Sequence, residues 1–238
     1  MSLAQNHNGF TPYILPHPRG SQHHTVHVHN ASGHALFARP FPWWKRTMDF
    51  TVALIALTVF APVMLAIGLA IKITSPGPVF FTQLRGGRGG KPFKLYKFRS
   101  MSVDAEARKA ELMHLNERSG VAFKMTRDPR VTSIGKVIRK TSLDELPQLI
   151  NVLKGDMSLV GPRPLPVTEE KAYNHWHWRR LDVKPGITCI WQVTSRHDKD
   201  FDRWVRLDLE YIEKQSLLLD ISLLVRTIPA VLVQRGAC

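Results

Sequence analysis

Twenty-two consecutive positions, Phe50 to Ile71, carry no charged side chain. As a helix they would extend about 33 Å, enough to cross the hydrocarbon core of a bilayer. A buried helix of a soluble protein is the alternative, and a charge-free run of this length speaks against it. Ahead of it stands Phe41-Pro42-Trp43-Trp44-Lys45-Arg46, an aromatic and basic collar suited to a lipid interface. Pro62 lies near the centre of the run, where it removes a backbone hydrogen bond and crowds the preceding turn. Both flanks are basic, with Lys45 and Arg46 before and Lys72, Arg85, Arg88 and Lys91 after, which favours both ends on the cytoplasmic side. A helix broken at Pro62 that enters and leaves through one leaflet satisfies length and charge together. A plain spanning helix satisfies only the length. The run begins far from Met1, which argues against a signal peptide.

The formal charge of +14 calls for an anionic partner, whether nucleic acid, acidic lipid or a phosphorylated small molecule. Two cysteines, Cys189 and Cys238, are too few for a disulfide framework and suit a reducing compartment. Seven of the 11 histidines precede residue 40, in a stretch poor in apolar periodicity, which argues against histidine catalysis in the folded part. The composition predicts a disordered His-rich tail over 1–40 and the collar and membrane helix over 41–74; the basic flanks then put 75–238 on the cytoplasmic face, the domain in which catalytic residues are to be sought.

Chemistry concentrates in Arg139-Lys140-Thr141-Ser142-Leu143-Asp144-Glu145-Leu146-Pro147, continuing to Gly161-Pro162-Arg163-Pro164. Ser142 and Glu145 have the spacing of a capping box, and Leu146, Leu149, Ile150 and Leu153 recur at helical spacing up to Gly155. Asp144 and Glu145 would then lie at the positive end of a helix, which stabilises carboxylates and attracts phosphate. First-turn acids are often no more than dipole complements. Here Arg130, Lys136, Arg139, Lys140, Lys154 and Arg163 surround the pair in sequence, more cations than two surface acids need and suited to a metal-bound diphosphate. Arg163, between two prolines whose rings restrict its backbone, suits bidentate phosphate binding.

Elsewhere, Val79 to Gln83 and Phe93 to Arg99 read as strands joined by the Gly86–Gly90 loop. Asp104 to Leu115, Glu169 to Trp178 and Phe201 to Ile212 read as helices, Lys184 to Thr188 as a turn and Trp191 to Val193 as a buried strand. Leu217 to Val233, interrupted by Asp220, Arg226 and Pro229, reads as a core or interface-lying helix pair.

Several segments occur together in one family's order: Lys45-Arg46 with Asp49, Ser75-Pro76-Gly77-Pro78, Lys97-Phe98-Arg99-Ser100-Met101, Asp128-Pro129-Arg130, Ser142-Leu143-Asp144-Glu145-Leu146-Pro147-Gln148, Gly155 to Pro164, and Lys184-Pro185-Gly186-Ile187-Thr188. Over roughly 43–238 the chain resembles the bacterial sugar transferases, the monotopic polyprenyl-phosphate phosphoglycosyl transferases, and is most similar to the short forms that initiate exopolysaccharide synthesis. Cys189 and Ser195 stand where relatives usually carry glycine.

The resemblance implies an α-rich α+β monotopic membrane protein, with a re-entrant broken helix, interfacial amphipathic helices and a small β-hairpin around a cytoplasm-facing site at the inner membrane. It implies transfer of a hexose 1-phosphate, galactose or glucose, from a UDP-sugar to polyprenyl phosphate with release of UMP. Asp144 would be the nucleophile, Asp144 and Glu145 the Mg²⁺ ligands, and Arg139, Arg163, Arg130 and Lys184 the phosphate-binding cations. Anionic inner-leaflet lipid is an expected partner, a homodimer is compatible, and nucleic acid is not expected. The rivals are a single displacement without covalent intermediate and a non-catalytic basic membrane-surface protein.

Overall fold

A computed structural model describes residues 26–29, 35–38, 40–117, 122–123, 125–195 and 198–232. The apolar run forms α1 (Trp43–Thr74), one 32-residue helix that stays helical through Pro62. The expected break is therefore not an interruption: a proline removes one hydrogen bond and leaves the turns on either side in place. Both ends of α1 are fastened to the same body. Near the N-terminal end Lys45 pairs with Asp220, and Asp49 accepts from Ser158 Oγ at 3.1 Å and from the Leu159 N–H at 2.9 Å. Arg46 donates to Val152 O and Leu153 O, each at 2.8 Å. At the other end Ile67 and Ile71 bury against Phe98 and Ile138, and Arg99 donates to the carbonyls of Ser75 and Pro76. Between these fastenings every residue from Thr58 to Val63 is exposed, so no face of the helix packs there. The collar needs correcting in one respect: Lys45 and Arg46 are anchors within the body rather than lipid-facing charges, while Trp43 remains 80% exposed.

The body is helix-rich α+β with small sheets. Strands β1 (Val26–His29) and β2 (Ala35–Ala38) pair antiparallel within the stretch expected to be disordered; the rest of that stretch lies outside the described residues. Strands β3 (Phe80–Gly86) and β4 (Pro92–Phe98) form the expected hairpin, in register from Phe80 opposite Phe98 to Gly86 opposite Pro92. Gly89 and Gly90 close it at positive φ, where a side chain would be strained. Helix α2 (Ser133–Lys140) begins at Thr132, whose hydroxyl accepts from the Gly135 N–H at 3.0 Å. Helix α3 (Gln148–Lys154) ends at Gly155 with φ of 87°, as the sequence predicts.

Beyond this point several short elements differ from expectation. Strand β5 (Ser158–Val160) pairs parallel with β6 (Gly186–Thr188), which occupies the expected turn. The expected helix over 169–178 is a short α4 (Val167–Glu170) followed by a 3₁₀ turn His177–Asp182, and that over 104–115 is a 3₁₀ segment Ala107–Leu115. The expected strand at 191–193 is α5 (Ile190–Thr194), whose Trp191 stacks at 3.9 Å between ring centroids on Trp204 of α6 (Phe201–Lys214). Segments this short take their form from such partners rather than from propensity. The last apolar segment is one helix, α7 (Leu217–Leu232), continuous through Pro229 rather than a pair. Leu218, Val225 and Ile228 lie on its exposed side.

Candidate functional site

After α2 the chain turns through Ser142, at φ of 56°, into the 3₁₀ turn Leu143–Glu145 and then Pro147, which starts α3. The expected capping box does not form. Ser142 makes no cap bond in this left-handed conformation, and the Glu145 carboxylate reaches instead to Arg163 and Lys97. Two cations compensate its charge better than one backbone N–H can.

The two adjacent carboxylates are treated unequally. Glu145 accepts from Arg163 through both oxygens, Nη1 to Oε2 being 3.1 Å, and from Lys97 Nζ at 2.6 Å. Burial alone would raise its pKa, but the Arg163 guanidinium and the Lys97 ammonium outweigh burial and hold it well below the usual carboxylate range. Asp144 is 8% exposed and makes no hydrogen bond among the described residues; its ion contact is Lys97 Nζ at 3.9 Å. Burial raises its pKa, and Lys97 only partly opposes that. Burial also lowers the pKa of Lys97, against the pull of Glu145.

Arg163 is fixed by its backbone as well as by Glu145. Pro162 O accepts from the Gly186 N–H at 2.9 Å, Arg163 O from Arg180 Nη2 at 2.8 Å, and Pro164 O from Arg85 Nη1 at 2.9 Å. Arg180 is itself clamped by Asp208, at 2.7 Å, and by the Tyr173 hydroxyl, at 2.8 Å. The Gly-Pro-Arg-Pro segment is therefore held from three sides. Turned to satisfy both of its ends, the Gln192 amide donates to Ile187 O at 3.2 Å and accepts from Arg163 Nη1 at 3.1 Å.

The structure does not bring every expected residue together. Arg139, in the last turn of α2, is close enough for its charge to act on Asp144, and its Nη1 is buried without a hydrogen-bond partner. Arg130 is committed elsewhere: Nε and Nη2 bond Asp128 at 2.9 and 2.6 Å, and Nη1 bonds Ala105 O at 2.9 Å. With all three nitrogens engaged, it shapes a loop rather than a phosphate site. Lys184 stands away from the acidic pair, over the Phe41 ring near the start of α1.

Three contributors escaped the sequence. Lys97 shares the inward face of β4 with Phe93 and Leu95, so period-two alternation placed a charge at an apolar position; that was the available signal. Arg85 lines a small cleft with Lys97, Gln148 and Arg163, and burial lowers its pKa to about 10, with Arg163 assisting. Arg180 acts through a carbonyl, which no pattern in the sequence indicates.

Among the described residues no group of three or more His, Cys, Asp or Glu side chains converges to hold a metal. The pair can still fit a magnesium ion, which takes one or two carboxylates and completes its shell with water and substrate phosphate. Asp144 is unencumbered, and Glu145 Oε2, with one donor, keeps a lone pair.

Residues 41–234 match the family model for bacterial sugar transferases. The chain is 50% identical over 195 residues to the galactosyl transferase CpsE of Streptococcus agalactiae, covering 81% of this chain and 43% of that one. It is 39% identical over 197 residues to the exopolysaccharide production protein ExoY of Rhizobium meliloti, covering 81% and 87%. It is 42% identical over 202 residues to the UDP-glucose:undecaprenyl-phosphate glucose-1-phosphate transferase of Escherichia coli, covering 81% and 41%. The chain thus spans less than half of the first and third of these relatives and most of the second.

Proposed function

The chain belongs to the bacterial sugar transferase family, and from that premise we propose that it moves a sugar 1-phosphate from a UDP-hexose, of the galactose or glucose type, onto a polyprenyl phosphate at the cytoplasmic face of the inner membrane, releasing UMP. The reaction would be the first membrane step of exopolysaccharide synthesis. One observation carries the reading: of two neighbouring carboxylates, one is paired with two cations and the other is left without a hydrogen bond among the described residues.

A nucleophilic carboxylate must keep a lone pair free, and Asp144 meets that condition. An Asp144 oxygen attacks the β-phosphorus of the donor. The new O–P bond forms as the bond from that phosphorus to the bridging oxygen breaks, and UMP leaves with the electron pair. An oxygen of the polyprenyl phosphate then attacks the same phosphorus, and Asp144 departs as carboxylate. Glu145 stays ionised throughout and orients Arg163 and Lys97 toward the transferring phosphate, with Arg139 adding an unengaged donor. Magnesium bound by Asp144, Glu145 and the donor phosphates would offset repulsion between carboxylate and diphosphate.

The membrane placement has its own support. Helix α1 has a mean hydropathy of 2.6 over its apolar window, and its ends are fastened to one body while its middle turns touch nothing. A bent helix that dips into one leaflet and returns is the reading that these contacts favour.

The test is Asp144→Asn, assayed with polyprenyl phosphate, Mg²⁺ and a panel of UDP-sugars. Turnover and the trapping of radiolabelled sugar phosphate on the protein should both vanish. Full activity in the variant removes the covalent scheme, and intersecting rather than parallel double-reciprocal lines would favour single displacement.

A further inference from the structure

Away from the acidic pair, three cations, Arg46, Arg88 and Lys184, outnumber the two carboxylates near them, Asp49 and Asp156. Lys184 Nζ lies 4.1 Å from the centroid of the Phe41 ring. A side chain built on Gly155 would meet Arg46 Nη1 and Lys184 Nζ at 3.6 Å each, so both heads flank the glycine that ends α3. Arg88, at the tip of the β3–β4 hairpin, is close enough for its charge to act on Lys184: burial first, then Arg46 and Arg88, push the Lys184 pKa down, and Asp49 and Asp156 only partly oppose them. Arg46 is partly engaged, through the carbonyls of Val152 and Leu153. Arg88 and Lys184 make no side-chain hydrogen bond or ion pair among the described residues, and Arg88 Nε is buried without an acceptor.

The two acids offset only part of this charge. Asp49 accepts from Ser158 and Leu159 through Oδ1, its Oδ2 having no hydrogen-bond partner among the described residues, and Asp156 pairs with Lys154 at 3.4 Å and takes the Asn151 amide at 3.3 Å. Half-buried like charges repel one another, and the arrangement is favourable only when an anion sits among them. Its place in the fold narrows the choice of anion. Phe41 and the exposed Trp43 mark the end of α1 where an apolar helix meets water.

We propose that Arg46, Arg88 and Lys184 form a binding site for the headgroup phosphate of an anionic membrane lipid, separate from the site at Asp144. The inference rests on the membrane placement of α1 but not on the transfer reaction. It also gives Lys184 a role other than donor binding.

The full chain, purified in an uncharged detergent, is titrated with short-chain phosphatidylglycerol, with phosphatidylcholine of equal chain length, and with inorganic phosphate. Thermal unfolding followed by tryptophan fluorescence is the readout. Phosphatidylglycerol should raise Tm and saturate at the lowest concentration of the three. Arg88→Gln and Lys184→Gln should each weaken that saturation about fivefold, the effect of one basic residue at a lipid surface. Each should also raise the Tm of the lipid-free protein, because a repulsive contact is gone. Arg88→Lys keeps the charge and should keep the binding. Unchanged phosphatidylglycerol affinity in either Gln variant overturns the proposal, as does equal saturation by phosphatidylcholine or by phosphate alone. If the Lys184→Gln variant does not fold, the single Arg88→Gln change at the hairpin tip carries the test. No turnover is read, so failure here leaves the transfer reaction standing, and absence of UMP release leaves the lipid site standing.

Discussion

Replacing Lys97 by methionine tests the electrostatics of the candidate nucleophile, read from the pH profile rather than from the plateau rate, which also senses the loss of Lys97 beside Glu145. Methionine keeps most of the aliphatic stem within the face that holds Phe93 and Leu95 and removes the ammonium. At 3.9 Å from Asp144 Oδ2, and with an effective dielectric near 20, that charge contributes about 4 kcal/mol in favour of the carboxylate. Both side chains keep some solvent contact, 18% and 11% exposed, and Arg139 and Arg163 still act on Asp144. The loss is then about 1–3 kcal/mol, or about 5- to 150-fold in the balance between carboxylate and acid. The sign follows from burial, which already favours protonated Asp144 and which Lys97 opposes. Without Lys97 the acid limb of the kcat/KM profile should therefore move to higher pH. UMP release should fall on the acid side of the profile and recover as pH rises. An acid limb that stays in place, in a variant that unfolds at the parental temperature, would refute the assignment of Asp144 as the titrating nucleophile.

Glu145→Gln should cost stability near neutrality and flatten its pH dependence. The folded pKa of Glu145 is depressed, so its contribution is complete above the unfolded value of about 4.3 and is lost as pH falls from there; Tm measured against pH should show the two proteins converging in acid. Lys45→Met should destabilise by about 3–5 kcal/mol, because it strands the buried Asp220. Adding Asp220→Leu should recover most of that loss, and a double variant no more stable than the single one would deny the pair its anchoring role. With native Cys238 replaced by serine, cysteines introduced at Ser2 and at Lys214 should react with an impermeant maleimide from the same face of oriented vesicles. Labelling from opposite faces would exclude a re-entrant α1.

Features set by local chemistry were legible before any coordinates. The apolar run, the β3–β4 hairpin around its glycines, the Gly155 stop and the Asp144-Glu145 pair all follow from periodicity, turn residues and short motifs. What failed depended on partners distant in the chain. Lys45 and Arg46 look like interface charges until Asp220 and the carbonyls at the end of α3 are in place. Lys184 follows the Gly-Pro-Arg-Pro segment by 20 residues and sounded like part of the site, yet the β5–β6 pairing carries it to the start of α1. Arg130 is different, since its partner Asp128 lies two positions away; an acid so near an Arg in a loop was a readable sign that the guanidinium was taken. The strand assigned at Trp191 to Val193 lost to helix because Trp191 stacks on Trp204, a contact that no window of the sequence contains.

The acidic turn and the apolar helix cannot be adjusted independently. Leu143 and Leu146 flank Asp144 and Glu145 in the chain. Leu146 is packed against the core that contains Ala53 and also against the cluster that contains Ile67 and Ile71. On a straight helix Ala53 and Ile67 would stand about 21 Å apart, a long interval for one leucine's surroundings to bridge. From Thr58 to Val63 every residue is exposed, with Pro62 among them; in the proposed re-entrant placement a bend here would let the two legs approach the same turn. A proline that would only weaken a spanning helix would be of use in that placement, since it eases a bend. On that proposal, the depth at which the legs sit in a leaflet would set the height of Asp144. In the proposed reaction a water-soluble donor and a lipid-borne phosphate meet only at that boundary, so the bend that would anchor the chain would also aim Asp144.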